Sequence, residues 1–566
     1  MQTVGPDANC DFDTTTGQTL QQALTTTGVT EVRLIINEVY NGGFIIDKPL
    51  QITGGYDNCI DATQNIPSQS LNAKSTLSGQ NTERVIDIIN CSQGSVVLDS
   101  LQISDGNSDN LGITRGAGIN TINSTCDLIV RNSNISSNTG LVGSGIFYDG
   151  LGTGSVFIQD SFFYNNATSN SGRDAQGGGI YSFSSLTIVG NSGFYDNTSG
   201  RGGAIFMRGD RYPGDVSLTI IGGDDLPNVG FFRNEVRGFL NGSFGGAIYM
   251  RDLASAQLTG HRETFNGIEY GDDAFPITFD RNSANGSSNR GGGIYLTTSS
   301  LDISNSQFFA NSAGTGGAIA FDSNDPNSML NIDANPEQCW REQGCNTFIE
   351  NVGGGGGAIW SINNAKAHIK HSYFSGNSAN TGTSIAIGNS ADFILESSII
   401  YKDTQNANIL LDRSIISASD SSFTILYSTI VENDASEAVF NSVNGGAGHT
   451  VYNSIIYNEN APNISTGTVS NQFDCVLADR QDSQLINITA TEYADLFVDS
   501  TNQDFRLKRS AVAVDLCADV TTINSVEDIQ GLARGYDLPD IPNLSGTFDA
   551  GANEFNDDLI FRNSFE

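Results

Sequence analysis

Apolar and polar positions recur along the chain as three short blocks in a fixed order. The first block is a short alternating segment, such as Leu186-Thr-Ile188. The second places an aromatic residue three positions before an asparagine, as in Phe194-Tyr-Asp-Asn197, and the third is Gly-Gly-x-Ile, as in Gly202-Gly-Ala-Ile205. Alternation with β-branched residues is typical of strands, so each set predicts three short strands separated by Asn/Gly turns.

The third block sets the period of the repeat. Its central isoleucines lie at positions 119, 146, 180, 205, 248, 294, 319, 359 and 385, and their shortest spacing is 25 residues. One coil of three strands cannot bury its inward side chains alone, but stacked coils bury them together. We therefore predict an all-β, single-stranded right-handed parallel β-helix with about 25 residues per coil, in which Ile205, Ile294 and Ile319 point inward.

The two ends of the chain depart from this repeat. Residues Thr19 to Leu24 have apolar positions at helical spacing and predict a short helix that covers the first coil. We expect an N-terminal cap with the first coils over 1–56, the β-helix over 57–470, and C-terminal coils, a cap and a short tail over 471–566. Long intervals between repeats predict loop insertions near 207–240, 250–285 and 322–350.

The net charge and the length of the apolar runs limit the classes of partner that are expected. The 566 residues carry 27 basic and 63 acidic side chains, a net charge of −36. Such a surface repels phosphate backbones and anionic lipids, so nucleic acid is not expected as a partner. No apolar run reaches the roughly 18–20 residues that cross a bilayer, so no transmembrane segment is expected.

Eight cysteines are scattered along the chain without the paired spacing of a zinc site: Cys10, Cys59, Cys91, Cys126, Cys339, Cys345, Cys475 and Cys517. We favour disulfides between sequence neighbours, namely 10–59, 91–126, 339–345 and 475–517, and the alternative is eight buried thiols. Disulfides would place the protein in an oxidising compartment. We therefore expect an extracellular or bacterial cell-surface protein whose signal peptide has been removed and is not in this chain.

The blocks also resemble known families. Over about 130–385, the pair of Phe-x-x-Asn and Gly-Gly-Ala-Ile resembles the passenger repeats of chlamydial polymorphic outer membrane proteins, which are surface-displayed β-helices that act as adhesins. The stretch from Leu20 to Tyr56 is similar to the N-terminal cap of pectate-lyase-like β-helix proteins. Residues 504–555 resemble the C-terminal end of secreted choice-of-anchor β-helix proteins. The tail from Ile560 to Glu566 resembles a C-terminal signature of secreted gammaproteobacterial proteins.

Two acidic pairs lie in the predicted insertions, Asp224-Asp225 and Asp272-Asp273. Paired carboxylates at a suitable separation cleave glycosidic bonds, and carboxylates also bind calcium. Two adjacent aspartates in a loop are more often solvated turn residues. We therefore assign no catalytic, cofactor-binding or metal-ligating residue, and calcium is kept as an alternative.

The four histidines are weak candidates for chemistry. His368 and His371 form a His-x-x-His pair, but they align with outward Asp302 and turn Asn305 of an earlier repeat, which predicts a strand and a turn rather than a metal-binding helix. His261 and His449 are isolated and are predicted to be solvated.

Three hypotheses for function remain open. The first is a non-enzymatic surface or matrix protein, adhesin-like, that binds a glycan or a protein partner or associates with itself. The second is a carbohydrate-active enzyme, either a polysaccharide lyase or a glycoside hydrolase, which would need a cleft with carboxylates, arginine and aromatic residues. The third is the subunit of an extracellular filament. The fold alone does not choose among them.

Overall fold

The computed structural model describes most of the chain. The described residues are 1–70, 73–109, 112, 114–170, 172, 174–212, 214, 216–222, 229–238, 242–260, 264–265, 268–269, 276–284, 286–333, 344–405, 414–443, 448–467, 471–480, 483–520 and 527–556. They form two compact units, residues 1–299 and residues 300–566.

The first unit consists of stacked coils, and each coil contributes one parallel strand to each of three faces. The first face contains Glu31–Ile35, Leu50–Tyr56, Ser95–Asp99, Asp127–Arg131, Val156–Gln159, Leu186–Val189, Ser217–Ile221 and Ser255–Thr259. The second face contains Val39–Asn41, Ser75–Ser78, Leu101–Ser104, Asn134–Ser136, Phe162–Tyr164, Gly193–Tyr195, Gly230–Phe232 and Ile277–Asp280. The third face contains Phe44–Ile46, Ile86–Ile89, Ile119–Ile122, Ile146–Tyr148, Ile180–Ser182, Ile205–Arg208, Ile248–Arg251 and Ile294–Thr297.

Short strands add a further ladder between the second and third faces of this unit: Thr139–Gly140, Ala167–Thr168, Thr198–Ser199, Glu235–Val236 and Ser283–Ala284. A small antiparallel hairpin, Thr264–Phe265 with Ile268–Glu269, lies within the second predicted insertion. The predicted parallel β-helix is therefore confirmed, with three strands per coil and, in several coils, a short fourth strand.

The interior of the first unit is built from columns of like side chains. Ile180, Ile205, Ile248 and Ile294 are direct partners on successive third-face strands, and all four are fully buried. On the second face the rings of Phe163, Phe194, Phe231 and Phe279 stack with centroids 4.8, 5.0 and 4.8 Å apart. This distance matches the spacing of neighbouring strands, so each coil places its ring on the previous one.

An asparagine ladder closes the corner after the second face. In successive coils, Asn138, Asn166, Asn197, Asn234 and Asn282 are buried, and from Asn166 onward each side-chain oxygen accepts from the backbone N–H and the amide of the asparagine before it. The ladder satisfies turn N–H groups that would otherwise be buried without partners.

The first glycine of the Gly-Gly-x-Ile block allows the backbone to make a tight left-handed turn. Gly202 has φ +61°, and a Cβ there would meet the carbonyl oxygen of Ile205. Only glycine fits this left-handed corner, which turns the chain into the third face.

The N-terminal cap agrees with the prediction. Helix α1 (Leu20–Thr25) begins after Thr19, which forms a capping box with Gln22, and Leu20, Ala23 and Leu24 are buried. Strands Gln2–Gly5 and Phe12–Asp13 and a 3-10 turn at Thr14–Thr16 accompany it. A second helix, α2 (Cys59–Gln64), was not predicted.

The second unit repeats the three faces. Its first face contains Leu301–Ser304, Met329–Ile332, Lys366–Lys370, Asp392–Glu396, Ser422–Leu426 and the N-terminal parts of Thr450–Tyr457 and Gln472–Ala478. Its second face contains Ser306–Phe309, Asn346–Ile349, Ser372–Ser375, Ile399–Tyr401, Thr429–Val431, the C-terminal parts of the same two long strands, and Ile486–Asn487. Its third face contains Ile319–Asp322, Ile359–Ile362, Ile385–Gly388, Ser414–Ser419, Ala438–Val443 and Ser465–Gly467, and short strands lie at Ser312–Ala313, Ser378–Ala379 and Thr404–Gln405.

The asparagine ladder of the second unit has one acidic member. It runs through Asn311, Asn351, Asn377, Asp403, Asn433 and Asn458. Asp403 is fully buried, and its carboxylate accepts from the backbone N–H of Asn377 at 2.8 Å and from the hydroxyl of Ser384. Burial raises the pKa of Asp403 to about 7.

The C-terminal region packs against the coils of the second unit. It contains helix α3 (Ala490–Leu496), a 3-10 turn at Ser500–Asn502, and the antiparallel strands Phe497–Asp499 and Asp504–Leu507. Ser397 donates to the carbonyl of Glu527, and Asn453 donates to that of Ala518, so this region lies along the corner between the first two faces. The sequence did not reveal α3.

Buried carboxylates hold the end of this region in place. Asp549 and Glu554 are almost fully buried, and their oxygens accept from backbone N–H groups of the cap, including those of Phe555 and Gly535. Burial raises the pKa of both carboxyls, the negative charge of Glu554 raises that of Asp549 further, and Arg534 opposes the shift at Glu554. Through linkage, the cap is therefore more stable when this pair of carboxyls holds a proton than when both are ionised.

Candidate functional site

A polar cleft of about 950 Å³ opens on the first unit, where the first face meets the second. Its floor is an outward column of side chains in direct register on four successive strands, Arg33, Thr53, Asp99 and Arg131. Neighbouring members of the column are about 4.8 Å apart, the strand spacing of a sheet. The cleft therefore offers a row of hydrogen-bonding groups that is parallel to the coil stack.

The described residues between the strands Leu50–Tyr56 and Ser75–Ser78, namely 57–70 and 73–74, form one wall of the cleft. Near the end of the first of these strands, a Cβ on Gly54 would meet Ser75 and the backbone of Ser100, and helix α2 follows that strand. Asn65, Pro67, Ser68, Ser70, Ala73 and Lys74 of this segment line the cleft.

Three contacts fasten this wall to the body of the unit. The Cys10–Cys59 disulfide anchors the start of α2 in a small apolar cluster that includes Tyr56. Arg33 donates through Nη1 to the carbonyl of Ala62 at 2.6 Å. The Tyr56 hydroxyl donates to Asn65 Oδ1 at 2.8 Å. The disulfide and the floor residue Arg33 therefore hold the wall in one position.

Asp99 is the most heavily bonded carboxylate of the cleft. It accepts from Arg131 Nε at 2.7 Å, from Asn132 Nδ2 at 3.1 Å and from Ser100 Oγ at 3.0 Å. Its side chain is 12% exposed, whereas that of Arg131 is 40% exposed. Asp99 thus positions Arg131, which lines the cleft and has further N–H groups that can donate to a ligand.

Lys74 brings an ammonium group into the same cleft. Its side chain is partly buried, and among the described residues it makes no hydrogen bond and no ion pair. Burial lowers the pKa of Lys74, and the negative charge of Asp99 opposes that shift. An ammonium in this setting can bind an acidic group of a ligand or, once neutral, accept a proton.

Aromatic and acidic side chains complete the far end of the cleft. Phe162 is half-buried there, with its ring 6.2 Å from that of Tyr195. Asp160 lies at the corner before it and accepts from the backbone N–H of Asn191 at 2.9 Å. With Glu31, which pairs with Arg33, the cleft has three acidic and three basic side chains. It is therefore much less acidic than the protein as a whole, and it suits a neutral or weakly acidic, hydroxyl-rich ligand.

The proximity of these cleft residues could not be predicted from the sequence. Arg33, Asp99 and Arg131 are far apart in the chain and do not repeat, so no motif connects them. An alignment of the first-face strands, with Glu31-Val-Arg33, Val97-Leu-Asp99 and Ile129-Val-Arg131 in register, is the signal that could have found the column.

The His-x-x-His pair lies in the second unit, on a strand and a corner, as predicted. His368 is in register with Asn331 and contacts Glu396 through Nε2 at 2.8 Å, and Lys370 is 3.4 Å from the same carboxylate. His371 contacts Asp333 through Nδ1 at 2.8 Å. The two imidazoles thus bind different carboxylates and do not converge on one point.

The prediction that His449 is solvated is wrong. The residue is 1% exposed, its ring stacks on that of Phe423 at 3.9 Å, and its Nδ1 accepts from the Phe423 backbone N–H. It occupies the position below Phe423 in a column of inward residues that also includes Phe393. Burial lowers its pKa to about 4, so the ring is neutral and serves as a packing residue.

Three of the four favoured disulfides are confirmed, namely Cys10–Cys59, Cys91–Cys126 and Cys475–Cys517. Cys345 is also disulfide-bonded, but Cys339 lies outside the described residues. The acidic pairs Asp224-Asp225 and Asp272-Asp273, His261 and the tail from Ile560 also lie outside them.

Within the described ranges, no group of three or more His, Cys, Asp or Glu side chains could hold a metal ion. No helix in that part of the chain has the length and apolar character needed to cross a membrane. Fold and site together define the class of the protein as a disulfide-bonded parallel β-helix with a polar surface cleft. No family model matches the chain, and no curated protein matches it significantly.

Proposed function

We propose that this is an extracellular or cell-surface β-helix protein that binds a glycan chain in the cleft of its first unit. The observation that carries the proposal is the row from Arg33 to Arg131, which presents polar side chains at regular intervals beside the partly buried ammonium of Lys74. A polysaccharide is a repeating chain of hydroxyl groups and suits a row of this kind. The disulfides support an oxidising compartment. The resemblance to surface-displayed passengers supports an adhesin-like or matrix role.

The balance of charge supports a ligand of low charge. Arg131 is paired with Asp99, and Arg33 with Glu31, so only Lys74 of the three basic groups lacks an acidic partner among the described residues. We therefore propose a glycan that is neutral or that carries an occasional carboxylate, with one acidic group placed at Lys74.

The binding test compares the unaltered protein with cleft variants on a panel of neutral and uronate-containing polysaccharides, by affinity electrophoresis. We expect at least one glycan to retard the unaltered protein, and Lys74→Gln and Arg131→Gln to weaken that binding about tenfold, the value of a lost charge-assisted hydrogen bond. Arg281→Gln is the matched control, because Arg281 is an exposed arginine on a different corner of the same unit. Equal binding by all variants, or no binding to any glycan, would refute the proposal.

A second candidate function is glycan cleavage, and Lys74 is the observation that favours it. A polysaccharide lyase needs a base that removes the proton next to a uronate carboxylate while the glycosidic oxygen leaves. An amine with a lowered pKa can take that proton, and Arg131 lies in the same cleft to bind the carboxylate. Unsaturated products from a uronate polymer, lost in Lys74→Gln, would establish the lyase. Binding without products would establish the non-enzymatic protein.

A further inference from the structure

Three aromatic rings form a column on the outer surface of the second face. Phe162, Tyr195 and Phe232 come from successive coils whose strands pair directly. Each is next in sequence to a member of the inward phenylalanine stack, so all three point outward, because side chains alternate along a strand. The centroids of Phe162 and Tyr195 are 6.2 Å apart, and those of Tyr195 and Phe232 are stacked at 4.9 Å with 7° between their planes. We name these three side chains the aromatic column.

Two glycines make room for the column. Gly193 and Gly230 are in register with Phe162 on the next two strands. A Cβ on Gly193 would collide with the ring of Tyr195, and a Cβ on Gly230 would collide with that of Phe232. Neither glycine has a positive φ, so the backbone does not require glycine at these positions. The two glycines instead let the rings lie against the strands, in line with Phe162.

The aromatic column begins in the cleft of the first unit. Phe162 lines that cleft, and so does Asn191, which lies two positions before Gly193 on the next coil. A chain that leaves the far end of the cleft and crosses this corner therefore reaches Phe162 first, and then Tyr195 and Phe232. The column thus continues the surface that we assign to the glycan.

The rings are accessible, and their border is polar without excess charge. Each of the three rings is half-buried, so part of it faces solvent. Asp196 follows Tyr195, Arg233 follows Phe232, and the two charged side chains pair through two hydrogen bonds of 2.8 Å. The pair remains 42% and 53% exposed, so it can still exchange hydrogen bonds with hydroxyl groups. Such a surface suits a ligand that is neutral, partly apolar and rich in hydroxyl groups.

We propose that the aromatic column binds pyranose rings of the glycan that occupies the cleft, an inference that rests on the proposed function. A pyranose with equatorial hydroxyls collects its C–H groups on the two faces of the ring, and these groups pack on the electron-rich face of an aromatic ring. The rings of the column recur at about the strand spacing, which is comparable with the length of one sugar residue. Consecutive sugars can therefore contact consecutive rings. The ligand class is thus narrowed to a polysaccharide of pyranose units with mainly equatorial hydroxyls.

The experiment is affinity electrophoresis of the whole protein in gels that contain hydroxyethylcellulose, xylan or inulin. The first two are built of pyranose units with equatorial hydroxyls, whereas inulin is built of furanose units. We expect at least one of the two pyranose glycans to retard the protein more strongly than inulin does. Tyr195→Leu and Phe232→Leu keep an apolar side chain but remove the ring, and each should weaken that binding about fivefold.

Matched variants separate the loss of a ring from a general disturbance of the unit. Tyr195→Phe and Phe232→Tyr keep a ring above each glycine and should bind within about twofold of the unaltered protein. Phe183→Ala removes a half-buried aromatic residue that follows the third-face strand Ile180–Ser182, and it should bind equally well. Hydroxyl-radical footprinting of the unaltered protein is independent of any variant, and the bound glycan should protect all three rings of the column from oxidation.

The outcomes distinguish this inference from the proposed function. Unchanged binding by the leucine variants, with weaker binding by Lys74→Gln and Arg131→Gln, would overturn the inference and leave the cleft as the glycan site. Equal retardation by inulin, an equal loss in Phe183→Ala, or unchanged oxidation of the rings would also overturn it. A dimer that the leucine variants dissociate in analytical ultracentrifugation would show that a second copy covers the column. No retardation by any glycan would overturn both proposals.

Discussion

Asp403→Asn should make the second unit more stable at neutral pH. Asp403 occupies an asparagine position in the ladder, between Asn377 and Asn433, and is fully buried without a cation within the described residues. Its pKa is raised from 3.8 to about 7. The folded protein therefore holds a proton that the unfolded chain releases, and stability falls as the pH rises from about 4 to about 7. Asparagine carries no charge and avoids this loss.

The size of the effect follows from the shift in pKa. A change of about three units, at about 1.4 kcal/mol per unit, corresponds to roughly 4 kcal/mol above pH 7 and to almost nothing below pH 4. The new amide can keep the contact with the Asn377 N–H through its oxygen and can donate toward Ser384 through its nitrogen.

The assay is urea unfolding of the two proteins, followed by circular dichroism at several values between about pH 4 and pH 9. We expect the curves to coincide at low pH and the variant to unfold at higher urea as the pH rises. Asn351→Asp is the matched reversal at another buried ladder position, and it should lose stability over the same pH range. A difference between Asp403→Asn and the unaltered protein that does not change with pH would refute the reasoning.

Three other predictions test the fold and the wall of the cleft. His449 should stay neutral until about pH 4, because burial disfavours its charged form, and the shift of its ring protons in NMR reports this directly; a midpoint near 6.5 would contradict its burial. Gly202→Ala should destabilise the first unit by more than about 2 kcal/mol, since the new Cβ meets a backbone oxygen, while Gly28→Ala, at a similar positive φ in open space, should cost about 1 kcal/mol in thermal or urea unfolding. Cys59→Ser should release α2 and weaken glycan binding in the cleft without abolishing the fold, and unchanged affinity would show that the Cys10–Cys59 bond does not hold the wall.

Periodic features of the fold could be predicted from the sequence because every coil must bury its inward side chains against the neighbouring coils. Ile205, Ile294 and Ile319 are fully buried as expected, since each must fill the same place in its coil. The cap helix α1 was also predicted, because the spacing of its apolar residues is a local signal. Elements that occur only once in the chain were missed. Helix α3 has a capping box between Thr489 and Glu492, but a single short helix gives little periodic signal.

The candidate site could not be predicted in the same way. Outward positions are free to vary, so Arg33, Asp99 and Arg131 show no spacing that distinguishes them from other surface residues. They become neighbours only when the register of the strands is known. The burial of His449 could not be predicted for the same reason. Its inward position depends on its register with Phe423 of the neighbouring coil and not on the residues next to it in the sequence.

Hydrogen–deuterium exchange of the protein with and without a retained glycan tests the central claim most directly. If a glycan chain occupies the cleft, backbone amides should gain protection at the wall around Lys74 and along the floor at Ser100 and Asn132, while the second unit exchanges at an unchanged rate. Protection confined to the second unit, or spread evenly over all coils, would contradict the assignment of the cleft as the glycan site.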